Sequence, residues 1–276
     1  MTLLVGITPC HISPQANTFC VAVKYGIGKS IIQTRDGGFA ITTWTSVIKL
    51  DKSGNLQWRK IMGNVAKANS IIQTNDGGLA IAGSTYLSDK SGRDVCVIKL
   101  DSIGNLQWAK TIGGEKDDFG NSIVQTKDGG FAIAGYTESF GPESAYVYAI
   151  KMDKEGNLQW TKAIGAKRWS YGNSIVQTND GGFAIAGYTH SLEEFLVERC
   201  PYCCLFTCGC LGTLGNGDAD VYVIKLDSNG NVQWTKTIGG LTWNYANSII
   251  QTRDGGLAIA GYTESFLSLD RKTDVY

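Results

Sequence analysis

Short runs of alternating apolar and polar positions follow one another along the chain, broken by clusters of Gly, Asn and Asp, and no stretch keeps apolar residues at helical spacing. Residues 121–173 show the pattern most clearly. Ile123 and Val124 are adjacent apolar positions within Ser122–Thr126, which predicts a strand covered on both faces. Lys127-Asp-Gly-Gly130 then supplies the positive-φ positions of a tight hairpin turn. Phe131–Tyr136 alternates large and small residues, with Phe131 and Ile133 on one face and Ala132 and Ala134 on the other. Small residues on one face let a neighbouring sheet approach closely. Tyr146–Met152 predicts a third strand and Asp153-Lys-Glu-Gly-Asn157 a second turn. Leu158–Ile164 predicts a fourth, with Leu158, Trp160 and Ile164 on one side. Four antiparallel strands in one unit form the pattern of a propeller blade.

The unit recurs. Asp-Gly-Gly occurs at Asp36, Asp76, Asp128, Asp180 and Asp254, at spacings of 40, 52, 52 and 74 residues. These reduce to one unit of 52 residues with two edits: a loss of 12 after Ala40 and an insertion of 22 at about 192–215. Both edits fall between the second and third strands, as expected of a surface loop. Units of this length must stack to bury their apolar faces. The expected fold is therefore an all-β propeller of about five four-stranded antiparallel blades. The fifth unit stops in its third strand at Asp274-Val-Tyr276, while Cys20–Gly28 precedes the first unit in the place of a fourth strand. The N-terminal strand is thus expected to complete the last blade and close the ring. On this reading residues 1–17 form a leader and residues 18–276 the propeller domain. A truncated piece of a longer propeller is the rival account.

Composition adds little chemistry. Acidic and basic residues balance at 25 each, so no global field favours nucleic acid. No apolar run reaches bilayer-spanning length. Thr2–Thr8 is apolar, but it lacks a preceding basic residue and is short for a secretory signal. A monomer is expected.

The repeated residues resemble the short bacterial and archaeal repeat known as the seven-bladed β-propeller repeat. Asp101…Gly104-Asn105…Trp108, Asp153…Gly156-Asn157…Trp160 and Asp227…Gly230-Asn231…Trp234 carry the likeness. A more distant similarity is to the Trp-bearing repeats of quinoprotein dehydrogenases. The resemblance covers residues 20–276 and implies the fold, with an extracellular or cell-envelope setting; it implies little about activity. Five units depart from the seven of the usual name.

Following the strand directions separates the loops into two sets. The Asp-Gly-Gly and Gly-Asn turns lie at one end and hardly vary between units. The loops joining second to third strand, and one blade to the next, lie at the other end and diverge. Binding residues concentrate in variable loops on a rigid scaffold, so that end is the candidate face for a protein or glycan partner. The interblade segments place there Asp117, Phe119, Arg168, Trp169, Tyr171, Trp243 and Tyr245. Aromatics are rich sources of contact energy. The competing expectation is that Phe119, Tyr171 and Tyr245 simply wedge between blades. Asn69, Asn121, Asn173 and Asn247 are expected to hydrogen-bond backbone at the strand start. Trp58, Trp108, Trp160 and Trp234 are expected as packing residues of the outer strand.

Five of the eight cysteines lie in the insertion, at Cys200, Cys203, Cys204, Cys208 and Cys210. Cys200 and Cys203 with Cys208 and Cys210 would suit tetrahedral zinc. Disulfides fit an exported protein, and an unliganded loop needs neither. Cys200-Pro-Tyr-Cys203 also matches the glutaredoxin tetrapeptide, but no helix is expected there to lower a thiol pKa.

No catalytic constellation emerges. His11 and His190 are the two histidines and neither faces a nucleophile in a recognisable triad. No phosphate loop or dinucleotide fingerprint appears. The turn Asp227-Ser-Asn-Gly-Asn231 lacks calcium-loop spacing. A polysaccharide hydrolase with paired carboxylates is the enzymatic alternative, although Asp117, Asp118, Glu138, Glu143 and Glu264 read as solvated loop residues. The expected role is a non-catalytic binding scaffold, with a lectin-like surface as its sharper form.

Overall fold

A computed structural model describes residues 27–62, 66–86, 92–142, 144–165, 169–190, 219–239 and 242–264, with the strand backbone at Gly6–Ile7, Val21–Ala22 and Asp274–Val275. Every regular element among them is a strand. The strands form a β-propeller of five successive blades, four of them four-stranded and the fifth three-stranded.

Blade I comprises Gly28–Gln33, Phe39–Thr43, Ser46–Leu50 and Leu56–Ile61. Blade II comprises Ala66–Gln73, Leu79–Tyr86, Arg93–Leu100 and Leu106–Ile112. Blade III comprises Asp118–Gln125, Phe131–Thr137, Tyr146–Met152 and Leu158–Ile164. Blade IV comprises Ser170–Gln177, Phe183–Thr189, Asp220–Leu226 and Val232–Ile238. Blade V has Asn244–Gln251, Leu257–Thr263 and the two residues Asp274–Val275. Each blade is an antiparallel meander in chain order.

The core lies between blades. Ala80 and Ala82 of blade II pack with Ile123, Phe131 and Ile133 of blade III. Ala132 and Ala134 repeat the contact with Ile175, Phe183 and Ile185 of blade IV. One face of each second strand is small, so the next blade's large side chains sit directly against its backbone, as the alternation predicts. The outer-strand tryptophans close the same seams. The Trp108 ring meets Phe131 edge-on at 5.6 Å, and Trp160 meets Phe183 at 5.7 Å. Each ring also covers the Gly-Asn turn of the following blade: a Cβ on Gly156 would come within 3.0 Å of Trp108. Trp234, with no such turn beyond it among the described residues, is 43% exposed.

Two expectations need correction. Val21–Ala22 does not join the fifth sheet; it pairs antiparallel with Gly6–Ile7. Among the described residues the third strand of blade V pairs through Tyr262↔Val275 and Thr263↔Asp274, while Val21–Ala22 finds its backbone partners in Gly6–Ile7. The inner strands also start earlier than the apolar pattern suggests. Blade III's begins at Asp118, four residues before Ser122, because a β-bulge between Gly120 and Ser122 breaks the alternation. The leader boundary, the insertion at 192–215 with Cys200, Cys203, Cys204, Cys208 and Cys210, and Arg168 and Glu143 lie outside the described residues.

Candidate functional site

At the invariant end, the turn carboxylate is the hub of a repeated cluster. Asp128 Oδ1 accepts from the Gly130 N–H at 3.0 Å and from the Thr126 hydroxyl, and Oδ2 pairs with Lys151 Nζ at 2.8 Å. The same ion pair joins Asp36 to Lys49, Asp76 to Lys99 and Asp180 to Lys225. Gly130 is required there: a Cβ would sit 2.3 Å from the Met152 carbonyl oxygen. The lysines are nearly buried and also donate to the next residue's carbonyl, as Lys151 does to Met152 at 3.0 Å. Hydrogen bonds from Lys49 and Thr34 hold Asp36 down to about 2. Burial opposes ionisation of Asp76 and Asp128, yet bonds from Lys99 and Lys151 bring both to about 2 as well. The Asp227 turn is satisfied internally, accepting from the Asn229 and Asn231 backbones at 2.9 and 2.8 Å.

At the variable end, the early start of the inner strands sets the geometry. Phe119, Tyr171 and Tyr245 are strand residues directly opposite Tyr136, Tyr188 and Tyr262. Cross-strand neighbours on one face must meet, and the rings stack at 4.7, 4.8 and 4.9 Å between centroids. Between blades the pairs join edge to face, Tyr136 to Tyr171 at 4.8 Å and Tyr188 to Tyr245 at 4.4 Å. Six half-buried rings therefore form one unbroken arc across three blades. Arg93 extends it to blade II, its guanidinium lying over Phe119 at 5.2 Å and over Tyr86 at 4.4 Å. The rings that wedge between blades are thus also partly exposed at this end. Burial, then the neighbouring phenols, push Tyr188 up to about 12, so its hydroxyl stays a neutral donor and acceptor.

Trp169 and Trp243 stand above the arc, 56% and 38% exposed. His190 lies among them, edge-on to Trp169, Tyr188 and Trp243 at 6.0, 5.7 and 5.5 Å. Trp243 is parallel to Tyr245 at 5.8 Å. Backbone bonds fix these positions: the His190 N–H donates to the Trp169 carbonyl at 2.8 Å and Glu264 to that of Trp243 at 2.9 Å. Asp117 occupies the equivalent place in blade III, where it accepts the Arg93 N–H at 2.8 Å and its carbonyl receives Glu138. Tyr136, Tyr188, Tyr262 and Arg93 were not singled out from sequence, and His190 was named only as one of the two histidines. The second-strand motif Gly-Tyr-Thr was the only signal for the three tyrosines, and it read as strand.

The carboxylates do not read as solvated throughout. Asp118 is fully buried, accepting from Gly114 N at 2.8 Å and Ser139 Oγ at 2.7 Å. Asp94 is buried beside it; oxygens of both lie within 2.6 Å of the point where a Gly113 Cβ would stand. Both are shut from solvent, which gives no open cleft for a sugar bond between an acid and a base. Glu138 is raised by burial and by Asp117. Cys96 is a buried thiol that burial pushes up to about 11, so it is an inert apolar residue. Among the described residues no group of three or more His, Cys, Asp or Glu could hold a metal, and no helix is long and apolar enough to cross a membrane.

No family model matches the chain. A stretch of 156 residues is 26% identical to the regulatory protein FlaEY of Caulobacter vibrioides, covering 55% of this chain. The match spans 15% of that relative's length. Among solved structures, regucalcin, a calcium-binding protein from Agrobacterium tumefaciens, is similar with a TM-score of 0.49 and 12% identity, over 92% of this chain and 74% of that one. The Pan2 WD40 domain of Neurospora crassa is similar with a TM-score of 0.45 and 11% identity, over 90% and 74% of the two chains.

Proposed function

We propose that this propeller is a non-catalytic scaffold that binds a partner through its variable end, with the aromatic arc from Phe119 to Tyr262 as the contact surface. The observation that carries this is the arc itself, capped by two exposed indoles on neighbouring blades. Clustered, rigidly held Tyr and Trp with a flanking Arg form the composition of a binding hot spot. The sequence likeness to a regulatory protein fits a protein partner. A glycan is the second reading, favoured by Trp169 and Trp243, whose flat open faces suit stacking on sugar rings. On the same footing, we take the repeat to be of the seven-bladed type, to which its Gly-Asn turn and Trp strand conform. Zinc at Cys200, Cys203, Cys208 and Cys210 stays a proposal, tested by metal analysis of protein purified under reducing conditions.

A glycan array read beside a binding screen against candidate protein partners separates the two readings. Whichever ligand emerges, Trp169→Ala with Trp243→Ala should weaken it at least about tenfold while leaving the melting temperature unchanged. A ligand indifferent to both substitutions and to Tyr171→Ala would place binding elsewhere.

A further inference from the structure

The positions that build the aromatic arc continue into blades II and I with different chemistry. In blade II, Ala68↔Gly83 matches Gly120↔Gly135 of blade III, so Lys67 and Ser84 stand where Phe119 and Tyr136 stand. In blade I the matching pair is Gly28↔Thr43, and Trp44, the next residue, holds the place of Tyr136. Lys29 is changed as well. At the other joints its place belongs to a bulged asparagine whose amide donates to the following inner strand: Asn69 to Gly120 O at 2.9 Å, Asn121 to Gly172 O at 3.0 Å, Asn173 to Ala246 O at 2.9 Å. Among the described residues Lys29 makes no such bond. Its ammonium lies 5.2 Å from the centre of the Trp44 ring, and Lys67 reaches the same ring at 5.2 Å from the neighbouring blade.

Arg93 is the third cation. Its guanidinium lies over Tyr86 and Phe119, and its Nε is buried with no acceptor. Asp117 takes the Arg93 backbone N–H, not the guanidinium. Among the described residues none of these three side chains forms an ion pair, whereas the nearly buried lysines of the Asp-Gly-Gly end each hold an aspartate. Two ammonium groups converging on one ring repel each other, and the indole face offsets only part of that cost. Like charges gathered without a counter-ion attract an anion. The acids of this end belong to other blades: Glu115, Asp117 and Glu138 to blade III, beside Lys116, and Glu264 to blade V.

We propose that Lys29, Lys67 and Arg93 form the acid-receiving end of the contact surface, and that the partner is a protein segment carrying carboxylates beside aromatic or aliphatic side chains. This rests on the variable end being the binding face. A protein suits it better than an acidic sugar, because the six rings turn their faces to one another, stacked in pairs at 4.7–4.9 Å, and leave edges and hydroxyls for the partner. Carboxylates would lie over blades I and II and apolar side chains over blades III to V, which fixes one orientation of the segment.

Random linear peptides displayed on phage and panned on the whole chain test this. Sequences enriched on wild type should combine Asp or Glu with aromatic or aliphatic residues. A synthetic peptide of the most enriched sequence should bind at least about tenfold more weakly to Lys29→Gln with Lys67→Gln, and its affinity should fall as sodium chloride rises. Arg93→Gln should act in the same direction. Lys29→Gln alone, at an exposed side chain, keeps the test decisive if the double variant melts lower. Enriched peptides that are neutral or basic, or acidic ones that ignore the lysine substitutions, would overturn the inference; if they still need Trp169 and Trp243, the binding face stands. No enrichment over the bare support would remove the binding face as well. Sodium polygalacturonate, an acidic polysaccharide, binding more tightly than the peptide and depending on Lys67 would assign the cations to a glycan instead.

Discussion

Asp128 shows how much one residue does in this chain. It orders its own turn through Thr126 and Gly130 and neutralises Lys151, which is 4% exposed and would otherwise be a buried unpaired cation. The pair has a pH signature with a definite sign. An aspartate ordinarily titrates near about 4, whereas Asp36, Asp76 and Asp128 sit at about 2 in the folded chain. Their contribution is therefore fully present above the unfolded value and is lost as pH falls through the folded one. The melting temperature should drop between about pH 4 and pH 2, and Lys151→Met should make the drop shallower. A flat acid limb in the wild type would contradict the assignment. Asp128→Ala leaves the lysine uncompensated, but the carboxylate is 55% exposed and water can take its place, so the cost in chemical denaturation at neutral pH should be about 1–2 kcal/mol, between the exposed and the buried limits.

At the scale of strands, local chemistry was readable and long-range pairing was not. The Asp-Gly-Gly and Gly-Asn turns declare themselves because the residues that make them are adjacent, and the large–small alternation of Phe131–Tyr136 fixes which face meets which neighbour. The Lys–Asp pairs were invisible because the partners lie 13, 23 and 45 residues apart in blades I, III and IV, with no common local pattern. The aromatic arc was half visible. Phe119, Tyr171 and Tyr245 were found, but their stacking partners were hidden by bulges that shift the pairing. Trp58, Trp108 and Trp160 pack as expected, whereas Trp234 is 43% exposed. Trp108→Ala should cost about 3 kcal/mol, since its ring covers both Phe131 and the Gly156 turn. Trp234→Ala should cost well under half of that, because its ring is 43% exposed and meets no such turn among the described residues. Equal losses in a denaturant series would show that the Gly-turn contact is energetically idle.

Among the described residues the shared apolar clusters join successive blades, so stability is a sum of blades and seams rather than a property of one central core. Blade III has both flanks covered, while the open flank of blade V leaves Ile250 and its alanines in water. Hydrogen exchange followed by mass spectrometry should find the inner-strand amides of Ser122–Gln125 slowest and those of Ser248–Gln251 fastest. Uniform protection from blade I to blade V would mean that the array unfolds as a single unit.

The bulged asparagine has an evolutionary corollary. Asn69, Asn121 and Asn173 each hand their amide to the succeeding blade's inner strand, so the three joints between blades II and V are interchangeable, whereas blade I carries Lys29 at that position. Tandem duplication or loss of a single 52-residue period in the gene would leave no orphaned donor at the new junction. A lineage built this way can drift in the number of its periods while each individual period stays under strict constraint.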